Sequence, residues 1–363
     1  MDLEGAGRKM KPDRLSYLQS MLILLVAGLG GCLAVYNSRS FGDDALMFVL
    51  RQLIWMVLGS VLFLTLARIP FRIYEKYARE IGVCGMFLLL LVLFAGARVN
   101  GMSGWFNIGY GFRFQPSEFA KVPFLLWLSK EACMPDQSEG RRFAKVMMIG
   151  ILYCLLVVLE PDFGSATVFF MGFLMILFLS GFHSRSFLYL AGGAAICTAV
   201  FVHTHRYALN RIAGFLDPDT YSTGAGWHIK QFQYAMAHGG TMGSDWGEAI
   251  WSNAYLPLSH SDSAFASIVE AGGLLGGLIV IAGFLVLVFL FRNSAIKKAP
   301  GMARMVFFSI GALCAAQALL HIGVNTALLP PTGLTLPIFS YGGSSLIATF
   351  GAFGIAFSAA KNK

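Results

Sequence analysis

Four short polar blocks hold the residues whose types and spacing could do chemistry: Phe112–Lys121, Glu160–Gly164, His260–Asp262 and Pro330–Ser345. Asp262 leads as a proton acceptor. It sits just before an apolar run, where partial loss of water raises a carboxylate's pKa toward that of a useful general base. The same spacing suits a helix N-cap, because Ser261, Asp262 and Ser263 are all cap types. Glu118 and Lys121 are spaced i,i+3 and can pair with one another. Alternatively Lys121, with Arg211 or Lys230, holds an anionic headgroup. Asp162 is a helix cap or an acid facing the same cavity. The turn Ser340-Tyr-Gly-Gly-Ser-Ser345 offers hydroxyls and exposed backbone N–H groups, a weak signal alone.

These blocks interrupt a chain that is 56% hydrophobic and 13% charged, with a mean hydropathy of +0.67. A soluble domain carries roughly twice that charged fraction. Apolar runs of about 20 residues, enough to cross ~30 Å of hydrocarbon, recur from end to end. The expected fold is an all-α polytopic integral membrane protein with about ten transmembrane helices. They fall at 16–36, 45–67, 79–97, 115–132, 144–160, 163–181, 186–203, 264–291, 303–326 and 341–360. The first run lacks a small-residue cleavage site, so it reads as a retained helix.

Placing both termini in the cytoplasm puts 19 of the 27 Lys and Arg on the inner side, as the positive-inside rule favours. The net charge of +8 thus orients the chain and does not indicate nucleic acid. The organisation is a cytoplasmic tail (1–15), helices one to seven (16–203), a large extracytoplasmic loop (204–263) and helices eight to ten with a short tail (264–363). All four polar blocks then share the outer side. Charged groups are costly near hydrocarbon, so their gathering at one face suggests a site.

The elements that position these groups have their own signals. Pro116 suits the first turn of a helix and Glu118 its positive end. Residues 327–343 hold three prolines and three glycines, which excludes regular helix. Such backbone is tolerable at this depth only inside protein or beside a wet cavity. The long loop has a helix-compatible stretch at His228–Ala237. Gly272, Gly273, Gly276 and Gly277 allow close packing, either of a partner helix or within the chain. The six cysteines have no metal-ligand spacing and read as small hydrophobes.

Together the blocks resemble the SEDS family of membrane glycosyltransferases over about residues 20 to 358. Phe114-Gln-Pro-Ser-Glu-Phe-Ala-Lys121 is similar to the family's FQPSExxK block, and Glu160-Pro-Asp-Phe-Gly164 to its QPDxG turn. Arg211–Pro218 and Gly239-Gly240 match the long-loop signature. Leu256-Pro257 with His260-Ser-Asp262 matches the stretch carrying the family's essential aspartate. Pro331–Pro337 and Ser340–Ser345 match its most recognisable segment. Leu334-Thr-Leu-Pro337 and Val99-Asn-Gly101 resemble the FtsW branch more than the RodA branch. The chain departs from the pattern at Leu258 (an acid in the family), at Ser261 and Ser263 (Thr and Phe), at Gly104 (arginine) and at Asp245 (glycine). These departures put the contacts to the donor headgroup in doubt and leave room for a specialised paralogue.

The resemblance implies a peptidoglycan glycosyltransferase that polymerises lipid II into glycan strands on the outer face of the cytoplasmic membrane, for division or elongation. Asp262 would be catalytic, taking the proton of the acceptor's 4-hydroxyl. Gln115, Glu118, Lys121, Asp162, Arg211, Lys230, His260, Ser340, Tyr341 and Ser344 would contact substrate. The implied partner is a single-span class B penicillin-binding transpeptidase. No cofactor is certain; a divalent cation, Mg2+ or Mn2+, is an option for the leaving pyrophosphate. Two other classes compete: a lipid II flippase or other transporter, and a non-enzymatic divisome scaffold. Ionisable groups gathered at the outer mouth favour surface chemistry over transport.

Overall fold

The computed structural model describes residues 14–99, 102–109, 112–182, 206–224, 226–296 and 300–361, with positions 190, 192, 193 and 203. The chain begins with α1 (Arg14–Asn37), α2 (Ala45–Arg68), the short α3 (Phe71–Lys76) and α4 (Ala78–Ala95). After a small sheet come α5 (Pro116–Ala132), α6 (Glu139–Leu159) and α7 (Phe163–Leu179). The long loop contains α8 (Arg206–Leu216), α9 (Trp227–Gly239) and α10 (Ile250–Ala254). The chain closes with α11 (Ala264–Ile296), α12 (Met302–Asn325) and α13 (Gly343–Lys361). Six of these helices (α2, α4, α6, α11, α12 and α13) are long and apolar enough to cross a membrane. The protein is an integral membrane protein. Nine of the ten expected spans coincide with helices, and all but four positions of the seventh, 186–203, lie outside the described residues.

Helix α5 is the axis of the main core. Thirteen of its residues are buried, which explains how a helix carrying Glu118, Lys121, Lys130 and Glu131 sits inside the bundle: its neighbours are protein, not lipid. Phe124 and Leu125 pack with Tyr153 of α6, Phe169 and Phe173 of α7 and Ile310 of α12. Helix α13 closes against α2 at Gly354, where a Cβ would lie 2.7 Å from the Phe63 carbonyl oxygen. Only glycine permits that approach.

The strands β1 (Ala97–Val99), β2 (Met102–Gly109) and β3 (Phe112–Phe114) pair antiparallel in the order β1-β2-β3. Trp105 lies opposite Ala97 and Phe106 opposite Phe114. The all-helical expectation has no place for this sheet. Its signal is the Asn100-Gly101 dipeptide between two extended runs, a pairing that favours hairpins.

The loop between α8 and α11 is stitched into the bundle. Helix α11 breaks at Gly273 (φ +64, ψ −170). Into the break run residues 240–244, whose carbonyls at Gly240 and Thr241 accept from Leu274 N and Leu275 N, while Ser244 N donates to the Glu270 carbonyl. A Cβ at 273 would lie 2.3 Å from the Thr241 carbonyl oxygen. The glycine cluster of α11 therefore packs within the chain: Gly272 meets Trp246, and Gly277 meets Val269 and Phe265. The Glu270 carboxylate, fully buried, accepts from Trp251 N and Ser252 N, both at 2.7 Å, and pairs with His238 at 3.0 Å.

Asp245 has φ +68 on the exposed face of this loop, the left-handed region that glycine occupies without a Cβ clash. Asp245→Gly should raise stability by about 1 kcal/mol, read as a higher thermal midpoint in detergent with activity unchanged.

Candidate active site

The N-terminal ends of α5, α7, α11 and α13, the first turns of α2, strand β2 and the segment 333–335 enclose a cavity of about 680 Å³. Three acids reach it: Glu118, Asp162 and Asp262. An aromatic wall stands beside them. The Tyr341 ring lies 4.8 Å from both Phe48 and Trp55, and 5.4 Å from His260. Arg51 and Arg113 supply cations, and Arg51 bonds the Tyr341 hydroxyl.

Asp262 is partly buried and faces Gly333, where a Cβ would lie 3.6 Å from its Oδ2. Gly333 has φ +76, a second reason for glycine there. Loss of water pushes the Asp262 carboxyl up to about 7; the charge of Asp162 adds to this, while a Ser261 hydrogen bond and Arg211 pull the other way. Its side chain makes no cap contact with the first turn of α11. The loop that carries it is braced by the glycine-rich turn: Ser340 Oγ donates to the Ser261 carbonyl at 2.7 Å, and Tyr341 N to the His260 carbonyl at 2.7 Å. Burial pushes the His260 imidazole down to about 4, so at neutral pH it is an uncharged part of the aromatic wall.

Asp162 caps α7, accepting from Ser165 N at 2.9 Å and Ser165 Oγ at 2.7 Å, and it also accepts from Gln115 Nε2 at 3.1 Å. Burial still holds its carboxyl above the usual range. It is a cap and a cavity wall at once. Ser344 Oγ accepts from Gln115 N at 3.0 Å and donates to the Arg113 carbonyl, fixing the strand that enters α5.

Of the eleven residues expected at the site, the structure brings seven to one cavity: Gln115, Glu118, Asp162, His260, Asp262, Tyr341 and Ser344. Four lie elsewhere. Lys121 sits behind Glu118, bonding it at 2.7 Å and Gln317 at 2.8 Å, beside a cleft of about 40 Å³. Ser340 is a brace between backbone segments. Lys230 pairs with Asp219 on the loop surface. Arg211 bonds the Pro331 carbonyl at 3.0 Å, outside the cavity lining yet near enough to bias Asp262.

Sequence reasoning missed three participants. Arg51 stands in the second turn of an apolar helix, and a cation there is itself a signal. Arg113 lies inside the first polar block. Glu160 is fully buried, and among the described residues neither of its carboxylate oxygens has a hydrogen-bond partner. It lies in the turn between α6 and α7, and burial reinforced by Asp162 pushes it up to about 8. Its Oε2 is 3.2 Å from where a Cβ would stand at Gly104, so that departure from the family pattern removes the side chain that would face this acid. Leu258, another departure, lines the cavity directly.

A divalent cation needs several converging oxygen ligands. Among the described residues no group of three or more His, Cys, Asp or Glu could hold one, and Asp162 is committed to Ser165 and Gln115. These residues do not fit a cation held by the protein alone.

The fold and cavity define a polytopic membrane protein with an acid-lined site where several helix N-termini meet. A family model described as cell cycle protein, spanning FtsW, RodA and SpoVE, matches residues 16–363, and the chain belongs to that family. It is 33% identical to the probable peptidoglycan glycosyltransferase FtsW of Trichlorobacter lovleyi, covering 95% of this chain and 93% of the relative. It is 31% identical to the peptidoglycan glycosyltransferase MrdB of Escherichia coli, covering 98% and 96%. The FtsW relatives lie on either side of MrdB, from 30% to 33% identical, and the higher of these agree with the FtsW-like wording of the motifs. Among solved structures, a chain from a peptidoglycan synthase complex that coordinates polymerization and crosslinking superposes with a TM-score of 0.79 at 25% identity, over 94% of this chain and 97% of that one. Thermus thermophilus RodA shares the fold, with a TM-score of 0.72 at 23% identity over 96% and 98%.

Lys121→Met should leave Glu118 buried without its cation, at a cost of roughly 3–5 kcal/mol. Thermal unfolding in detergent should show that loss largely recovered when Glu118→Leu is added.

Proposed function

We propose that this protein is a peptidoglycan glycosyltransferase that polymerises lipid II on the outer face of the cytoplasmic membrane. The observation that carries the reading is Asp262: a partly desolvated carboxyl in the wall of a large cavity, free of the cap role its sequence position suits. Family membership and the names of the relatives support it.

The reaction joins an acceptor sugar hydroxyl to the anomeric carbon of a lipid-pyrophosphate donor. The 4-hydroxyl oxygen attacks that carbon from the face opposite the pyrophosphate, and the carbon–oxygen bond to pyrophosphate breaks with inversion. The hydroxyl proton passes to Asp262, a step worth about 10²–10⁴-fold. Pyrophosphate leaves as an anion, so no second acid is required. Arg51 and Arg113 in the cavity wall, and Arg211 behind it, oppose the developing charge. The helix N-termini that open onto the cavity add partial positive charge. The Phe48, Trp55 and Tyr341 faces suit the apolar face of a sugar ring. A class B penicillin-binding transpeptidase is the partner that crosslinks the product.

Purified Asp262→Asn should bind lipid II yet form no polymer on a gel of labelled glycan; polymer at the wild-type rate would remove Asp262 from this role. Because the base must be ionised, wild-type polymerisation should fall as pH drops through about 7. A Ser261→Cys variant in a cysteine-free background should react with an impermeant maleimide added outside intact cells, and labelling from the cytosolic side alone would overturn the topology.

A further inference from the structure

Helix α11 begins two residues after Asp262, and the first N–H groups of a helix have no partners within it. Ser261, Asp262 and Ser263 could each supply an oxygen to them, but none does. Ser263 Oγ donates to the Pro257 carbonyl at 2.5 Å, and Ser261 Oγ points toward the Leu258 carbonyl at 3.5 Å. The partners come instead from α12. Phe265 N donates to His321 Nε2 at 3.3 Å, and Ala266 N donates to Asn325 Oδ1 at 3.0 Å. His321 and Asn325 are four residues apart, on one face of α12.

Both side chains are almost wholly buried, and each does a second job. Asn325 Nδ2 donates to the Asp262 carbonyl at 3.1 Å and to the His321 carbonyl at 3.0 Å. His321 Nδ1 lies 2.7 Å from the Leu334 carbonyl, which places the proton on Nδ1 and leaves Nε2 as the acceptor that Phe265 N needs. Leu334 adjoins Gly333, the residue facing the Asp262 carboxylate. One imidazole therefore sets both the helix end beside Asp262 and the wall opposite it.

We infer that His321 and Asn325 are positioning residues: by capping α11 from outside, they keep the Asp262 carboxylate out of the cap and in the cavity. This rests on the reading of Asp262 as the general base. When the outside cap is removed, the freed N–H groups draw on the oxygens of Ser261, Asp262 and Ser263, of which only the Asp262 carboxylate is charged. A carboxylate that turns to accept backbone N–H groups at a helix N-terminus is both misplaced for proton transfer and a weaker base. The other titratable and charged groups facing the cavity are Asp162, Glu118, His260, Tyr341, Arg51 and Arg113 in its wall and Arg211 behind it, and the substitution changes none of them.

The test is the pH dependence of lipid II polymerisation by purified Asn325→Ala. The expected result is a kcat lower by on the order of 10²-fold, a KM within about 2-fold of wild type, and an acid limb moved down by about one pH unit or more. Asn325→Ser, shorter yet still polar, is read the same way where Asn325→Ala does not fold. His321→Gln, whose amide can accept from Phe265 N and donate to the Leu334 carbonyl, should retain most of kcat and a limb near that of wild type. An unmoved limb in the Asn325 variants, whether kcat is kept or falls with thermal stability alone, overturns the positioning role. Wild-type activity in Asp262→Asn overturns the reading of Asp262 itself, and so separates the two failures.

Discussion

Backbone that leaves helical geometry near hydrocarbon must find every hydrogen-bond partner inside the protein. Most of the polar side chains around the cavity meet that demand. Gln52 donates to the Ser340 carbonyl, Ser340 accepts from Leu336 N, and Gln317 donates to the Thr335 carbonyl. Lys121 in turn bonds Gln317 and Glu118, linking α5 through α12 to the irregular segment. The stretch after α12 can depart from helix because these side chains stand in for the missing turn. Its freedom lets Gly333 and Thr335 face the acid instead of lipid.

Having met this demand, the bundle gathers acids in one place. The charge of Asp162 raises the carboxyls of both Asp262 and Glu160, and Glu118 raises that of Asp162. Acids so arranged cannot all ionise together at neutral pH. Burial raises Asp162 despite its three donors, and Glu160, fully buried, is a neutral acid at pH 7. The Asp262 carboxyl, pushed up to about 7, lies where a group must lie to accept a proton and later release it.

Much of this was legible in the sequence because hydrophobicity and charge are local. Apolar run length gave the spans, and the polar blocks gave seven of the cavity's residues, with Asp262 among them. The sheet went unread because its strands are short and its hairpin signal is a single dipeptide. Lys230 was expected at the site because a cation on an outer loop looks available, whereas Asp219, eleven residues earlier, holds it at the surface. Arg51 stands inside an expected span, outside the four polar blocks, so their pattern does not point to it. His321 and Asn325 carry the least signal: a histidine and an asparagine in an apolar helix read as core, and only the fold brings them within reach of a helix end some 60 residues upstream.

The interruption at Gly273 also has a mechanical side. It cuts α11 into a stub of nine residues and a longer membrane rod, with the loop segment 240–244 wedged between them. The stub is clamped by Glu270 near one end and ends beside Asp262 at the other, so it behaves as a short stiff lever whose pivot is the break. A shift of that segment would act on both pieces at once, through Leu274 and Leu275 on the rod and through Glu270 on the stub that ends beside Asp262.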